Sequence, residues 1–240
     1  MTSAHPSIDV LAGLNPPQRE AASHVSGPLL ILAGPGSGKT RVIAHRIAYL
    51  LGHEAVPPRR VFAVTFTNKA ARELRDRVAT LVGAAIDDLT LGTFHAVCAR
   101  WLRIDGERIG LERGFAIYDD ADQIALMKSL LVEVGVDPNR NSPRAVLSAI
   151  SRAKSELIDP RAYESRVASY FEEIVSRVYP RYQAALRQNN AVDFDDLLTR
   201  TVELLREHAD LLDKYRERYL HVLVDEFQDT NVAQYQLAKL

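Results

Sequence analysis

Apolar positions along the chain fall into two patterns. Four short runs read as buried strands: Leu29–Ala33 (LLILA), Val61–Phe66 (VFAVTF), Leu89–Thr93 (LTLGT) and Leu220–Val224 (LHVLV). The first three are each followed by a helical pattern. In Asn68–Val82 the period is plain: Ala71, Leu74, Val78 and Leu81 recur three or four apart, with Arg72, Arg75 and Arg77 between them. Strands alternating with helices predict a parallel sheet covered on both faces. Between about Trp101 and Asn190 the alternation stops and helices dominate, with Asp120–Val134, Pro143–Ser155 and Ala168–Asn189 the clearest. Pro180 is expected to kink or interrupt the last of these. Breaks fall at Gly135–Pro138 and Asp159–Pro160. Asp195–Arg206 is helical again, with Leu197, Leu198, Thr201, Val202 and Leu205 on one side, and the strand pattern returns at Leu220. The expected fold class is therefore α/β, a parallel sheet with an inserted all-helical subdomain. The expected division is 1–104 and 191–240 for the α/β part and 105–190 for the insertion. The last residues, Asn231–Leu240, read as the start of a helix, which suggests a chain cut from a longer protein.

Composition narrows the class without naming it. The 240 residues are 47% hydrophobic and 25% charged, the profile of an ordinary globular protein. No apolar run approaches the ~18 residues of a membrane span, and Met1–Leu14 has no signal-peptide pattern. One cysteine, Cys98, allows no internal disulfide, so a cytoplasmic location without membrane attachment is expected. The histidines lack ligand-like spacing, and no zinc site is read. Net charge is −1, which selects no partner, but its distribution is uneven: residues 191–240 hold six basic and eleven acidic side chains.

Two segments carry chemistry. Ala33-Gly34-Pro35-Gly36-Ser37-Gly38-Lys39-Thr40 lies between a predicted strand and a predicted helix. Glycines let a backbone curl so that its N–H groups face phosphate oxygens, and the helix that follows adds its positive end. Lys39 is placed to reach the β and γ phosphates of ATP and the Thr40 hydroxyl to ligate magnesium. Ala33 replaces the glycine of the strict pattern. The second segment, Val222-Leu-Val-Asp-Glu-Phe-Gln-Asp-Thr230, runs an apolar strand into Asp225 and Glu226. Ligands of such sheets sit at the carboxyl ends of strands. Asp225 suits magnesium, and Glu226 suits orienting and deprotonating an attacking water. A plain acidic turn after a strand is the competing reading.

Two further strand ends are polar. Thr65, Phe66, Thr67 and Asn68 follow one strand, and Thr93, Phe94 and His95 end another. Phe66 can stack on a base while hydroxyls and Asn68 bind phosphates. Equally, Phe66 can be core, with Thr67 or Asn68 capping the next helix. Arg140, Arg144, Arg152 and Lys154 form a basic stretch with no acid from Asn139 to Ser155. It reads as a solvated helix face more readily than as a phosphate contact.

Taken in order, Gln18 within Leu14-Asn-Pro-Pro-Gln-Arg-Glu-Ala21, the Lys39 loop, Thr65-Phe-Thr-Asn-Lys-Ala-Ala71, Gly92-Thr-Phe-His95, Asp193-Phe-Asp-Asp-Leu197 and Asp225-Glu-Phe-Gln-Asp229 resemble the UvrD/Rep/PcrA group of superfamily 1 DNA helicases. The resemblance covers nearly the whole chain. It implies the first RecA-like, P-loop NTPase domain of a motor that moves 3′ to 5′ along single-stranded DNA, acting at single-strand/duplex junctions with ATP and magnesium. It implies that a second RecA-like domain, with its arginine fingers, lies outside this sequence. By the same resemblance Gln18 reads adenine, which a carboxamide can pair bidentately. Arg41 stacks on the base. Gln228 senses the γ-phosphate, and Thr65, Phe66, Asn68, Thr93 and His95 meet DNA. Repair and replication are the processes implied. An ATP-binding regulator that never unwinds, a helicase subunit of a nuclease complex and, more distantly, a P-loop kinase are the rival readings. The intact Glu226 argues against the first, and the kinase has no use for the DNA-edge motifs.

Overall fold

A computed structural model describes residues 9–83 and 86–240. The chain is α/β, with a parallel sheet and a largely helical intervening segment, as the hydrophobic pattern predicts. It forms two compact units: residues up to Val97 with Asp213–Gln228, and Cys98–Leu212 with Asp229–Leu240.

The first unit opens with α1 (Pro16–Ser23), started by a capping box in which Asn15 and Gln18 satisfy each other's backbone N–H groups. Next come α2 (Lys39–Gly52), β1 (Val61–Thr65), α3 (Asn68–Val82), β2 (Thr90–Thr93) and the first turn of α4 (Phe94–Asp105). The three-stranded parallel sheet has the order β2-β1-β5, where β5 is His221–Val224. Val64 stands opposite Gly92 on one side and Val224 on the other. Central β1 is buried along its whole length, as a strand covered on both faces must be. Its core gathers Ala44 and Ile47 of α2, Val61 and Ala63 of β1, and Leu74 and Val78 of α3.

One predicted strand is corrected. Leu29–Ala33 pairs with no strand among the described residues, and Leu30 and Leu32 are 66% and 87% exposed. An apolar run has strand character, but a strand exists only when its N–H and C=O groups find a partner ladder. Both edges of β1 are taken by β2 and β5, and this segment pairs with neither of those two.

The second unit contains most of α4, then β3 (Ala116–Ile117), α5 (Asp120–Glu133), α6 (Pro143–Ser155), α7 (Pro160–Glu164), α8 (Tyr170–Gln188), β4 (Ala191–Val192), α9 (Phe194–Glu207), the start of α10 (Ala209–Arg218) and, after the gap in sequence, α11 (Val232–Lys239). β3 and β4 form a small parallel pair. Met127 and Leu131 of α5, Val146 and Ile150 of α6, and Val178 and Tyr182 of α8 build its core. Of the expected kink or interruption at Pro180, the interruption does not occur: α8 runs through the proline. The proline is exposed, and Ile174, Val175, Val178, Tyr179, Tyr182 and Leu186 are all buried along the helix. That burial, worth roughly 1.5–3 kcal/mol per large side chain, outweighs the ~3 kcal/mol of an interior proline.

Packing divides the chain differently from the boundaries 104/105 and 190/191 drawn from periodicity. Residues 191–212 and 229–240 group with the helical unit. The apolar side of α9 is the reason: Leu197, Leu198, Val202 and Leu205 are buried, and α9 packs against α6 and α11.

The basic stretch 139–155 is also corrected at one residue. Lys154 is 2% exposed rather than on a solvated face. Its Nζ lies 2.6 Å from Asp193 Oδ2 and 2.8 Å from Asp196 Oδ1. The Tyr182 hydroxyl also donates to Asp193 Oδ2 (3.0 Å), and Gln183 Nε2 donates to Asp196 Oδ1 (3.1 Å). Two residues of the Asp193–Leu197 motif thus clasp α6, α8 and α9 together.

Candidate nucleotide and nucleic-acid site

The loop Ala33–Thr40 turns twice through left-handed backbone, at Gly36 (φ 75°) and Gly38 (φ 85°), which glycine adopts without steric cost. Gly38 caps α2, whose first turn carries no acidic side chain, so its N-terminal N–H groups and positive end stay available to an anion. The Ser37 hydroxyl donates to Gly34 O (2.6 Å) and holds the turn. Ala33 and Pro35 complete the loop, and Lys39 Nζ rests 3.3 Å from Ala33 O and 3.4 Å from Gly34 O. The ammonium therefore lies across the concave side of the loop.

Parallel pairing of β5 with β1 brings the second segment to the same place. The Thr40 hydroxyl donates to Asp225 Oδ2 at 3.2 Å, although 185 positions separate them in sequence. Lys39 Nζ is 4.0 Å from Glu226. Burial raises the Asp225 carboxyl above its ordinary range; the Thr40 hydrogen bond opposes this and the charge on Glu226 adds to it. A hydroxyl and a carboxylate side by side form a hard-oxygen donor pair that fits magnesium, which takes one or two protein ligands and fills the rest with water and phosphate. Glu226 stands at φ 50°, a rare conformation for a non-glycine residue, and its carboxylate accepts from Gln228 Nε2 at 2.5 Å. The strained turn and the amide aim Glu226 beside Lys39.

Gln18 and Arg41 flank the loop. Gln18 Nε2 donates to Ser37 O at 2.9 Å, and its Oε1 accepts from Asn15 N at 3.1 Å. Both ends of the carboxamide are engaged within the protein, so a base would have to exchange with these partners. Arg41 Nη2 donates to Gly13 O at 3.1 Å, and an added Cβ on Gly13 would sit 3.2 Å from that nitrogen.

The other two strand ends lie in the same unit. Thr65 is buried and its hydroxyl donates to Thr67 O (3.1 Å); Thr93 is buried and its hydroxyl accepts from Ala96 N (3.2 Å). The cap of α3 is Thr67, which accepts from Ala70 N, and Asn68 is the first helical residue, exposed. Phe66 is half-buried, edge-on to buried Phe94 with ring centroids 6.1 Å apart. His95 is half-buried. A cavity of about 270 Å³ opens between α3 and the end of β2, lined by Asn68, Arg72, Arg75, Gly92 and Thr93 among others. Arg75 Nη2 donates to Leu91 O (3.0 Å) and forms its wall. Sequence reasoning left Arg72 and Arg75 as the polar face of a helix. The available signal was that both follow the Thr65–Asn68 turn within two helical turns.

Among the described residues no helix is long and apolar enough to cross a membrane. A family model described as UvrD/REP helicase N-terminal domain matches residues 14–240. The chain is 46% identical over 233 residues to the ATP-dependent DNA helicase PcrA of Bacillus subtilis (strain 168), covering 97% of this chain and 32% of that protein. It is 45% identical over 236 residues to the PcrA of Leuconostoc citreum, covering 98% and 32%. To that of Staphylococcus aureus (strain Mu50 / ATCC 700699) it is 46% identical over 231 residues, covering 96% and 32%. The chain thus spans about a third of the length of these relatives, and with the match running from Leu14 to its last residue it belongs to the UvrD/REP helicase N-terminal domain family.

Proposed function

We propose that this chain is the ATP-binding part of an ATP-dependent DNA helicase that moves 3′ to 5′ along single-stranded DNA. The observation that carries the proposal is the meeting of Thr40 with Asp225 and of Lys39 with Glu226. A loop that binds phosphate and a carboxylate that activates water are useful together only if a phosphoryl group lies between them. Lys39 neutralises the β and γ phosphates, and the backbone of Gly34–Gly38 cradles them. Thr40 and Asp225 hold magnesium, which when bound supplies charge neutralisation on the phosphate oxygens. Glu226 orients a water and accepts its proton, and Gln228 fixes the carboxylate that does so. Gln18 and Arg41 contact the adenine side.

For the DNA edge we assign base stacking to Phe66 and phosphate contacts to Asn68 and His95. Thr65 and Thr93, whose hydroxyls are used locally, hold the two strand ends in place. The boundaries 1–104, 105–190 and 191–240 are proposed as the functional division, with 105–190 an inserted helical subdomain. A cytoplasmic enzyme of repair or replication fits this reading.

Lys39→Ala should abolish magnesium-dependent ATP binding measured by calorimetry, because the phosphates lose their direct cation. Glu226→Gln, placed in a protein with the full length of the relatives, should retain ATP binding while turnover falls by roughly 10²–10⁴-fold. Equal ATP affinity in the wild type and Lys39→Ala would reject the site. Phe66→Ala should weaken poly-dT binding by ~1–3 kcal/mol. A lowered melting temperature with unchanged DNA affinity would instead assign Phe66 to the core.

A further inference from the structure

Parallel strands give the first unit two chemically different edges. The phosphate loop and the DNA-edge residues gather where β1, β2 and β5 end. A separate cluster gathers where β1 and β5 begin. Arg59 and Arg60 immediately precede β1, and Lys214, Glu217 and Arg218 lie in the last turns of α10, just before β5. These five residues line one shallow cavity of about 290 Å³. Four cations face it against a single carboxylate. Lys214 and Arg218 are four apart and so share one side of α10. Arg60 Nη1 donates to Glu217 O at 3.0 Å, which ties the turn before β1 to the end of the helix.

Compensation of the negative end of α10 accounts for Arg60 and Arg218. It does not call for Arg59, on another segment, to open on the same cavity. Tyr215 and Tyr219, the aromatic rings nearby, do not line the cavity. Tyr215 is buried and stacks on Tyr219 at 6.3 Å, while Lys214 lies 5.4 Å from the Tyr215 ring and Arg218 5.4 Å from the Tyr219 ring. Sites for single strands interleave cations with open ring faces on which bases stack. Here the cations cover the rings, so the cavity offers charge and no stacking platform.

We propose that this cluster is a second nucleic-acid contact, which holds the phosphate backbone of duplex DNA without reading its sequence. It rests on the reading of the chain as part of a DNA motor. It is separate from the nucleotide and single-strand edge by the length of β1, roughly 13–17 Å for five residues. A motor engaged with a single strand at one edge thus has a grip for the duplex at the other.

The test is fluorescence anisotropy of the full chain with a blunt duplex of mixed sequence and with poly-dT, over a series of salt concentrations. Arg59→Ala/Arg218→Ala should lower duplex affinity and reduce the slope of log affinity against log salt by about 2, since each lost duplex phosphate contact removes roughly 0.9. Poly-dT binding and magnesium-ATP binding should not change. Lys214→Ala, at another exposed position, should reduce the duplex slope by about 1 and guards against a misfolded double variant. Unchanged duplex affinity and slope in both variants would overturn the proposal, and so would an equal loss of poly-dT binding. Loss of binding to an acidic polypeptide with the duplex unaffected would also overturn it. Failure of this contact alone would leave poly-dT binding sensitive to Phe66→Ala. Failure of the DNA reading itself would remove that sensitivity as well.

Discussion

At the scale of single residues, the nucleotide loop depends on backbone that only glycine adopts freely. Gly38 stands at φ 85°, and an added Cβ would approach Gln18 Nε2 to 3.2 Å. A left-handed conformation costs a residue with a Cβ ~1–2 kcal/mol. Gly38→Ala should therefore both strain the start of α2 and push on the carboxamide that braces the loop through Ser37 O. ATP affinity measured by calorimetry should fall about five- to thirtyfold, with a small loss in melting temperature. Wild-type affinity in this variant would show that the loop tolerates a different path and that the left-handed turn is not needed for binding. Gly34, with open space around its Cβ position and no positive φ, makes the control: Gly34→Ala should affect affinity less. Much of this site was legible in the sequence, because phosphate chemistry forces a short, ordered pattern of glycine, lysine and hydroxyl. The pairing of Thr40 with Asp225 was legible only as two separate motifs. What joins them is the register of β5 against β1, which no local pattern encodes. The engagement of both ends of Gln18 was not legible either, since it depends on how α1 meets the loop.

At the scale of elements, α3 and α6 occupy Asn68–Val82 and Pro143–Ser155, the segments their periodicity predicts. Their apolar residues recur at helical spacing and their ends carry Thr67, Gly83 and Pro143 as start and stop signals. Leu29–Ala33 was misread because hydrophobicity reports the wish for burial and not the presence of a partner strand. Lys154 was misread for the opposite reason: a charge was assigned to solvent by type. Its position, four residues after Ile150 and eight after Val146, placed it on the buried stripe, and Asp193 and Asp196 supplied the counter-charges from a distant segment. Burial alone would lower the Lys154 pKa, but the carboxylates of Asp196 and Asp193 outweigh it and hold the ammonium above its ordinary value. Lys154→Met should cost ~3–5 kcal/mol by leaving two buried carboxylates without their cation. Lys154→Met/Asp193→Asn/Asp196→Asn should recover most of that loss, because no buried charge remains and asparagine still caps α9. Urea unfolding checks both, and a triple variant no more stable than the single one would refute the clasp. The pH dependence follows from the sign of the shift. A lysine whose folded pKa is raised contributes its full stability below its ordinary 10.5 and loses it as pH rises through the folded value. Wild-type melting temperature should consequently fall more steeply above pH 10.5 than that of the triple variant.

At the scale of the whole molecule, the matched relatives run to about three times the length of these 240 residues, and the proposed chemistry asks for more than the nucleotide loop alone. Phosphoryl transfer requires charge stabilisation at the γ-phosphate, and arginine fingers contribute on the order of 10³–10⁵ in rate in related P-loop enzymes. The resemblance of the motifs to UvrD/Rep/PcrA helicases implies that such arginines belong to a second RecA-like domain. On the proposed reading the Lys39 loop and the Thr40–Asp225 pair bind ground-state phosphate without them, but Gln18 and Arg41, proposed for the base, are both already bonded to the protein. Exposed Leu30, Leu32 and Val222 further show apolar surface that such a polypeptide leaves facing water. A polypeptide of these 240 residues, used without further sequence, should therefore bind magnesium-ATP weakly and hydrolyse it barely above background. It should not separate strands, because unwinding requires two domains whose relative positions change with nucleotide state, each state making different contacts to DNA. A strand-displacement assay on a 3′-tailed duplex with excess ATP measures this directly. Adding the remaining length of a close relative as one continuous chain should restore turnover and displacement together. Robust unwinding by the 240-residue polypeptide, abolished by Lys39→Ala, would mean that one nucleotide-binding unit is a complete motor and that the arginines of a second domain are dispensable.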